Sequence, residues 1–194
     1  MVWAIPYGES MPIALPLTTD RLSLRTYLPG DVDALLAYYS DPDVARYLLD
    51  DPWTEDYARK EVERRLSRTG LDSEARSLAV VVEHEGEVIG DLAIWLNDGT
   101  GGKAEIGWVF APQAAGRGFA AEAAAALIDA AFTHHGLHRI EAQMDARNEA
   151  SARLCERLGM RREAHLRENW WMKGEWTSTL VYGLLASDRH AATA

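Results

Sequence analysis

Between Trp108 and Ala120 the chain reads Trp108-Val109-Phe110-Ala111-Pro112-Gln113-Ala114-Ala115-Gly116-Arg117-Gly118-Phe119-Ala120. A run of strand-forming residues passes into a glycine- and alanine-rich turn, which opens at once into a long alanine-rich helix. This junction constrains the fold more than any other feature. From Gly116 to about His135, Ala120, Ala124, Leu127, Ile128 and Ala131 share one stripe, and Gly136 stops the helix. So many alanines let a helix backbone approach a sheet closely. Unpaired amides at the helix start point outward and carry the positive end of the dipole, so they favour phosphate. Glycines allow close backbone approach, and Arg117 adds a phosphate-pairing charge. A helix-start turn with glycines for backbone geometry alone explains the same residues, so the string by itself leaves both readings open.

The rest of the chain supplies the layers. Arg21–Leu28 alternates as a strand, Val32–Tyr39 is an amphipathic helix, and Thr54 caps a charged surface helix over Glu55–Arg68. Leu78–Val82, Val88–Trp95 and Ala104–Phe110 form a meander with turns at Glu85-Gly86 and Asn97–Gly102. After the alanine-rich helix come a strand at His138–Asp145 and a helix Glu149–Leu158, capped by Asn148 and stopped at Gly159. Met160–Trp171 and Trp176–Leu185 close as a strand pair. The order predicts one α/β domain with a mixed sheet.

Composition excludes several classes. With 194 residues and 47% hydrophobic content the chain has material for a core, so wholesale disorder is excluded. Lysine and arginine total 20 against 30 acidic residues, a net charge of −10, which argues against nucleic acid and membrane as partners. The one cysteine, Cys155, excludes an internal disulfide and a cysteine-rich zinc site. Met1–Leu17 is apolar but broken by three prolines and has no basic start, so a signal peptide is not expected and a cytoplasmic location is. His134 and His135 read as favourable charges at a helix C-terminus, and no metal is expected. Trp170, Trp171 and Trp176 gather at the last hairpin and read first as core, then as substrate wall or dimer contact.

Gly116-x-Gly118-x-x-Ala121, with Glu141 downstream, formally fits a dinucleotide fingerprint, but the preceding strand ends an antiparallel meander instead of opening a parallel unit. The chain instead resembles the GNAT superfamily of acyl-CoA-dependent N-acyltransferases, within it the RimJ/RimL-type branch. The likeness rests on Thr18–Arg25, Asp41–Val44, Glu105–Trp108, Asn148–Ser151, Leu158–Met160 and Lys173–Trp176, in that order, together with the loop. The family's loop pattern, Q/R-x-x-G-x-G/A, maps onto Ala115, Gly118 and Ala120, so that alanine stands where glutamine or arginine is usual.

The resemblance implies a three-layer fold with a central mixed, mostly antiparallel sheet flanked by helices. Residues 1–16 would form an N-terminal arm, 17–187 the acetyltransferase domain and 188–194 a C-terminal tail. It also implies acetyl-CoA as co-substrate. The residues expected to hold it are Trp108, Val109 and Phe110 through their backbone, the loop residues Ala115, Gly116, Arg117, Gly118, Phe119 and Ala120, and Asn148 and Ser151. The acceptor would be a primary amine, such as a protein N-terminus or a small amine, with direct transfer in a ternary complex. A second copy of the chain stays open as a partner.

Acyl transfer to an amine needs a base for the amine proton and a donor for the departing thiolate. Glu105 is the first candidate base and Glu141 the second; Gln143, where some members carry a glutamate, cannot accept a proton. Many members use a tyrosine for the thiolate at the position of Cys155; the resemblance to RimL-like members implies that Ser151, one turn earlier on the same helix, serves it here, while the same residue also reads as an ordinary helix-start serine. Cys155 has no histidine placed to activate it, which argues against a covalent relay. A CoA-binding sensor or scaffold that has lost turnover is the alternative, motivated by Ala115, Gln143 and Cys155.

Overall fold

A computed structural model describes residues 11–99 and 102–191. Strand β1 (Leu17–Thr18) pairs with β2 (Ser23–Thr26). Helices α1 (Val32–Tyr39), α2 (Pro42–Ala45) and α3 (Glu55–Leu66) follow. Asp41 and Thr54 accept hydrogen bonds from the amides of Asp43 and Tyr57, which fixes where α2 and α3 begin. Next come β3 (Thr69–Gly70), β4 (Ser77–His84), β5 (Glu87–Leu96) and β6 (Lys103–Phe110). The second half holds α4 (Phe119–His135), β7 (Arg139–Asp145), α5 (Glu149–Arg157), β8 (Arg161–Met172), β9 (Glu175–Leu185) and α6 (Ala186–Ala191).

The strands form one sheet in the order β1-β2-β4-β5-β6-β7-β9-β8, with β3 beside β4. Every pairing is antiparallel except β6 with β7. Helices cover both faces. On one, Leu78, Val80, Leu92, Ile94, Ala104 and Ile106 pack with Ala124, Leu127 and Ala131 of α4. On the other, Ala79 and Val81 pack with Leu35, Tyr39, Ala58 and Val62 of the first three helices. Strand alternation sends neighbouring residues to these two cores, and this is what points Glu105, Gly107 and Val109 away from α4. The three-layer mixed-sheet expectation is met.

Several details differ from the sequence reading. Helix α4 starts at Phe119, because Gly116 and Gly118 form the turn before it. Its buried face is centred on Ala123, Ala124, Leu127 and Ala131, with Ala120 only half-buried. His135 is buried, and burial lowers its pKa, so it packs as a neutral ring instead of countering the helix dipole. Trp170, Trp171 and Trp176 are 50%, 60% and 58% exposed and are therefore not core. Ile13 is buried and the Met11 amide donates to the His134 carbonyl at 2.9 Å, so residues 11–16 lie against the domain. Residues 1–10 of the expected arm, Thr100 and Gly101 of the expected turn, and residues 192–194 of the expected tail lie outside the described residues. Among the described residues no helix is long and apolar enough to cross a membrane.

Candidate active site

The glycine turn has a backbone that only glycine adopts without strain. Gly116 and Gly118 sit at φ +74° and +80°, and Gly118 is the N-cap of α4. The first α4 amide to meet a helical carbonyl is that of Glu122, on Gly118, leaving the amides of Phe119, Ala120 and Ala121 at the mouth of the helix. Two cations flank that mouth. Arg117 lies 4.4 Å over the Phe119 ring, with Nη2 3.3 Å from His84 Nε2. Arg21 lies 4.6 Å from the same ring, donates to the Arg117 carbonyl at 3.0 Å and pairs with Glu122. An anionic tail fits this cradle on charge and on backbone geometry.

The left-handed glycines also correct the loop register. The pattern Q/R-x-x-G-x-G/A fits Gln113, Gly116 and Gly118, two residues before the alignment on Ala115, Gly118 and Ala120. Ala115 has an extended backbone at φ −65°, ψ 148°, and Ala120 is an ordinary helical residue. No glutamine is missing: Gln113 stands two residues before Ala115, in the frame of the two left-handed glycines.

Strands β6 and β7 pair only at Lys103–Arg139, Ala104–Ile140 and Glu105–Glu141, and then part. Both continue, β6 to Phe110 and β7 to Asp145, so facing backbone groups beyond Glu105 lack each other. A cavity of about 470 Å³ opens there, lined among others by Glu105, Gly107, Trp108, Gln143, Asn148 and Ser151. Its size suits a small-molecule site.

Glu105 stands where the strands begin to part, opposite Trp95 on β5 and Glu141 on β7. Burial and the neighbouring Glu141 charge raise its pKa to about 7, against the opposing pull of the Asn97 and Gln143 amides. Gln143 Nε2 is 3.5 Å from its carboxylate, a long contact. Glu141, by contrast, accepts from Asn97 at 2.7 Å and from Arg139 at 3.2 Å. Its oxygens are engaged, and this sets the two candidates apart.

Helix α5 delivers the third group. Asn148 caps it, accepting from the Ser151 amide at 3.0 Å. The Ser151 hydroxyl accepts from the Trp108 indole N–H at 3.2 Å. An indole only donates, so this contact occupies a lone pair of Ser151 and leaves its own hydrogen free. Cys155 is fully buried, and burial pushes its thiol up to about 12, which makes it inert as a nucleophile. Among the described residues no three His, Cys, Asp or Glu side chains gather in a metal-binding group.

One cluster on the cavity wall was not anticipated. Buried Asp91 on β5 accepts from the hydroxyls of Tyr27, Tyr38 and Tyr39 at 2.8, 2.8 and 3.0 Å, and from Arg65 at 2.9 Å. Its members lie up to 64 residues apart in the chain, so no local spacing could have shown it.

A parallel strand pair opens beside a glycine-capped helix in a mixed-sheet α/β fold, with the carboxyl of Glu105 in the gap, an arrangement suited to acyl transfer. The comparisons agree. Residues 21–161 match the family described as "Acetyltransferase (GNAT) domain", and the chain belongs to this family of acetyltransferases. It is 34% identical to the uncharacterized N-acetyltransferase p20 of Bacillus licheniformis, over 87% of this chain and 95% of that one. A solved GNAT-family acetyltransferase from Bacillus anthracis is 31% identical, with a TM-score of 0.77 over 90% of this chain and 98% of that one. RimL, a ribosomal L7/L12 α-N-protein acetyltransferase solved with coenzyme A, matches with the same TM-score of 0.77 over 90% and 98%, at 18% identity, a likeness of fold alone. The protein is thus an acyltransferase of this family.

Proposed function

We propose that this protein acetylates a primary amine by direct transfer in a ternary complex, with Glu105 as the base. The acceptor is a protein N-terminus, as for RimJ/RimL-type enzymes, or a small amine. Acetyl-CoA brings the thioester. The side chains handle the protons. An amine is a nucleophile only after it loses its proton, and a carboxyl with a pKa of about 7 is matched to that task near neutral pH. The Ser151 hydroxyl, held by Trp108, has its hydrogen free to meet the departing thiolate. Main-chain groups of Trp108, Val109 and Phe110 that face the gap, along the reach of β6 not paired with β7, suit the donor's amide arm and the thioester oxygen. The Gly116–Ala120 turn suits its diphosphate, and the engaged Glu141 acts on Glu105 instead of on the substrate. Within this proposal the protein works in the cytoplasm.

The observation that carries this reading is the position of Glu105, on the cavity wall where β6 and β7 part. The sensor alternative retains one point, since buried Cys155 stands where many relatives have a tyrosine acid. Its other two weaken: Gln113 fills the loop position that Ala115 was taken to leave bare, and Gln143 lies beside Glu105. Thiol release from acetyl-CoA across a panel of amines and peptides, measured beside calorimetric coenzyme binding, tests the proposal. Acceptor-dependent release supports it, and binding without release under every acceptor favours the sensor.

A further inference from the structure

The C-terminal part of α3 and the residues just beyond it place three guanidinium groups, Arg64, Arg65 and Arg68, on the wall of the cavity that holds Glu105. Two of them have acidic partners. Arg65 pairs with Asp91 at 2.9 Å and lies 3.6 Å from Glu61, while Arg64 holds Glu61 at 2.5 Å. Arg68 is half-buried, and its side chain makes no hydrogen bond or ion pair with any described residue.

Its surroundings are unfavourable. Burial and the charges of Arg64 and Arg65 lower its pKa, opposed by Glu61, the carboxylate already shared by those two. Arginine does not relieve such a site by giving up its proton, so the uncompensated charge stays. The negative end of the α3 dipole, where the helix stops at Leu66, favours a cation but is only a partial charge and not a partner. Other acids on the wall are committed elsewhere. Asp145 is bound by Arg147 at 2.7 Å, and Asp50 sits against the Tyr57 hydroxyl.

We propose that Arg68 is an anion subsite of the acceptor cavity, and that the acceptor is an amine which also carries a carboxylate or phosphate. The inference rests on the acyl-transfer reading above and narrows it. The amine end of such a molecule goes to Glu105 and the anionic end to Arg68. A simple alkylamine leaves Arg68 bare, and a polyamine places further positive charge beside it.

Calorimetry on the full chain saturated with CoA tests this without requiring turnover. Glycine, β-alanine, γ-aminobutyrate and ε-aminocaproate are titrated beside alkylamines of matching length, and phosphoethanolamine beside ethylamine. Ser-Asp amide is compared with Ser-Asn amide to separate peptide from small acceptors. At least one anionic amine binds about tenfold or more tightly than its neutral match. Arg68→Gln brings that pair to within about twofold, and Arg68→Lys keeps part of the preference. CoA affinity stays as in the unsubstituted protein, and the melting transition of Arg68→Gln does not fall, because an uncompensated charge has been removed. Equal binding within every matched pair, or a preference that survives Arg68→Gln, overturns the subsite. A preference that depends on Arg68 but comes with no thiol release from any acceptor leaves the subsite standing and removes the transfer reading. Release with no preference does the reverse.

Discussion

Asp91 and Glu105 lie on adjacent strands, face the same side of the sheet and line the same cavity, yet their surroundings are opposite. Three phenol hydroxyls and a guanidinium converge on Asp91. Burial, followed by the Asp91 charge, raises the pKa of Tyr27, Tyr38 and Tyr39, so they hold their protons and keep donating. Burial works against the charge on Arg65, but Tyr39 and Asp91 outweigh it. Glu105 is reached by the amides of Asn97 and Gln143, the latter at a long 3.5 Å, and faces a second carboxylate. Asp91 is met by donors on every side, whereas burial beside a like charge favours the protonated form of Glu105. The Asp91 region is a support, and the Glu105 region holds a proton it can exchange.

The sharpest test of this contrast is Glu105→Gln. It should lower kcat by roughly 10²–10⁴-fold, with coenzyme affinity unchanged by calorimetry. A normal rate would place the base elsewhere. On the other side, Asp91→Ala leaves Arg65 buried without its carboxylate and should cost about 3–5 kcal/mol in urea unfolding. If the loss were a fraction of that, the cluster would not be the support it resembles.

A third measurement follows the pH dependence that Glu105 brings to folding. The pKa of Glu105 lies above the ordinary 4.5, at about 7. Its ionisation therefore opposes folding, by nothing well below 4.5 and fully above 7. Glu105→Gln should accordingly stabilise the fold at pH 8 by roughly 2 kcal/mol and leave it unchanged near pH 4. The smallest effect concerns the neighbour. Glu141→Gln removes a like charge, so Glu105 ionises more readily and the rising limb of kcat/KM should move down by roughly one pH unit or less. A limb that stays in place would mean that burial alone sets Glu105.

Much of the scaffold was legible because it is written in local rules. The bounds of α1 and the caps Thr54 and Asn148 follow from periodicity and capping chemistry. Glu105 emerged because alternation along one strand fixes its face. What stayed hidden has a common cause. Strands β1 and β3 are two residues long and carry no period, and α6 covers Ala186–Ala191, partly beyond the boundary placed at 187. The Asp91 cluster and the bare Arg68 exist only once α1, α3 and β5 meet. The hairpin tryptophans misled because apolar bulk was read as burial, whereas their strand pair runs along the edge of the sheet. The loop pattern can be laid on the letters in two frames, and the left-handed dihedrals of Gly116 and Gly118 single out the one that begins at Gln113.

The opening between β6 and β7 leaves a ladder with rungs missing. A guest whose own amides bridge those rungs would finish the sheet while being held by it. Resistance to heat would then rise with occupancy, and the melting point would serve as a gauge of how much donor is aboard. Because that grip is made by main chain, the side chains along the rim could drift over generations without loosening it.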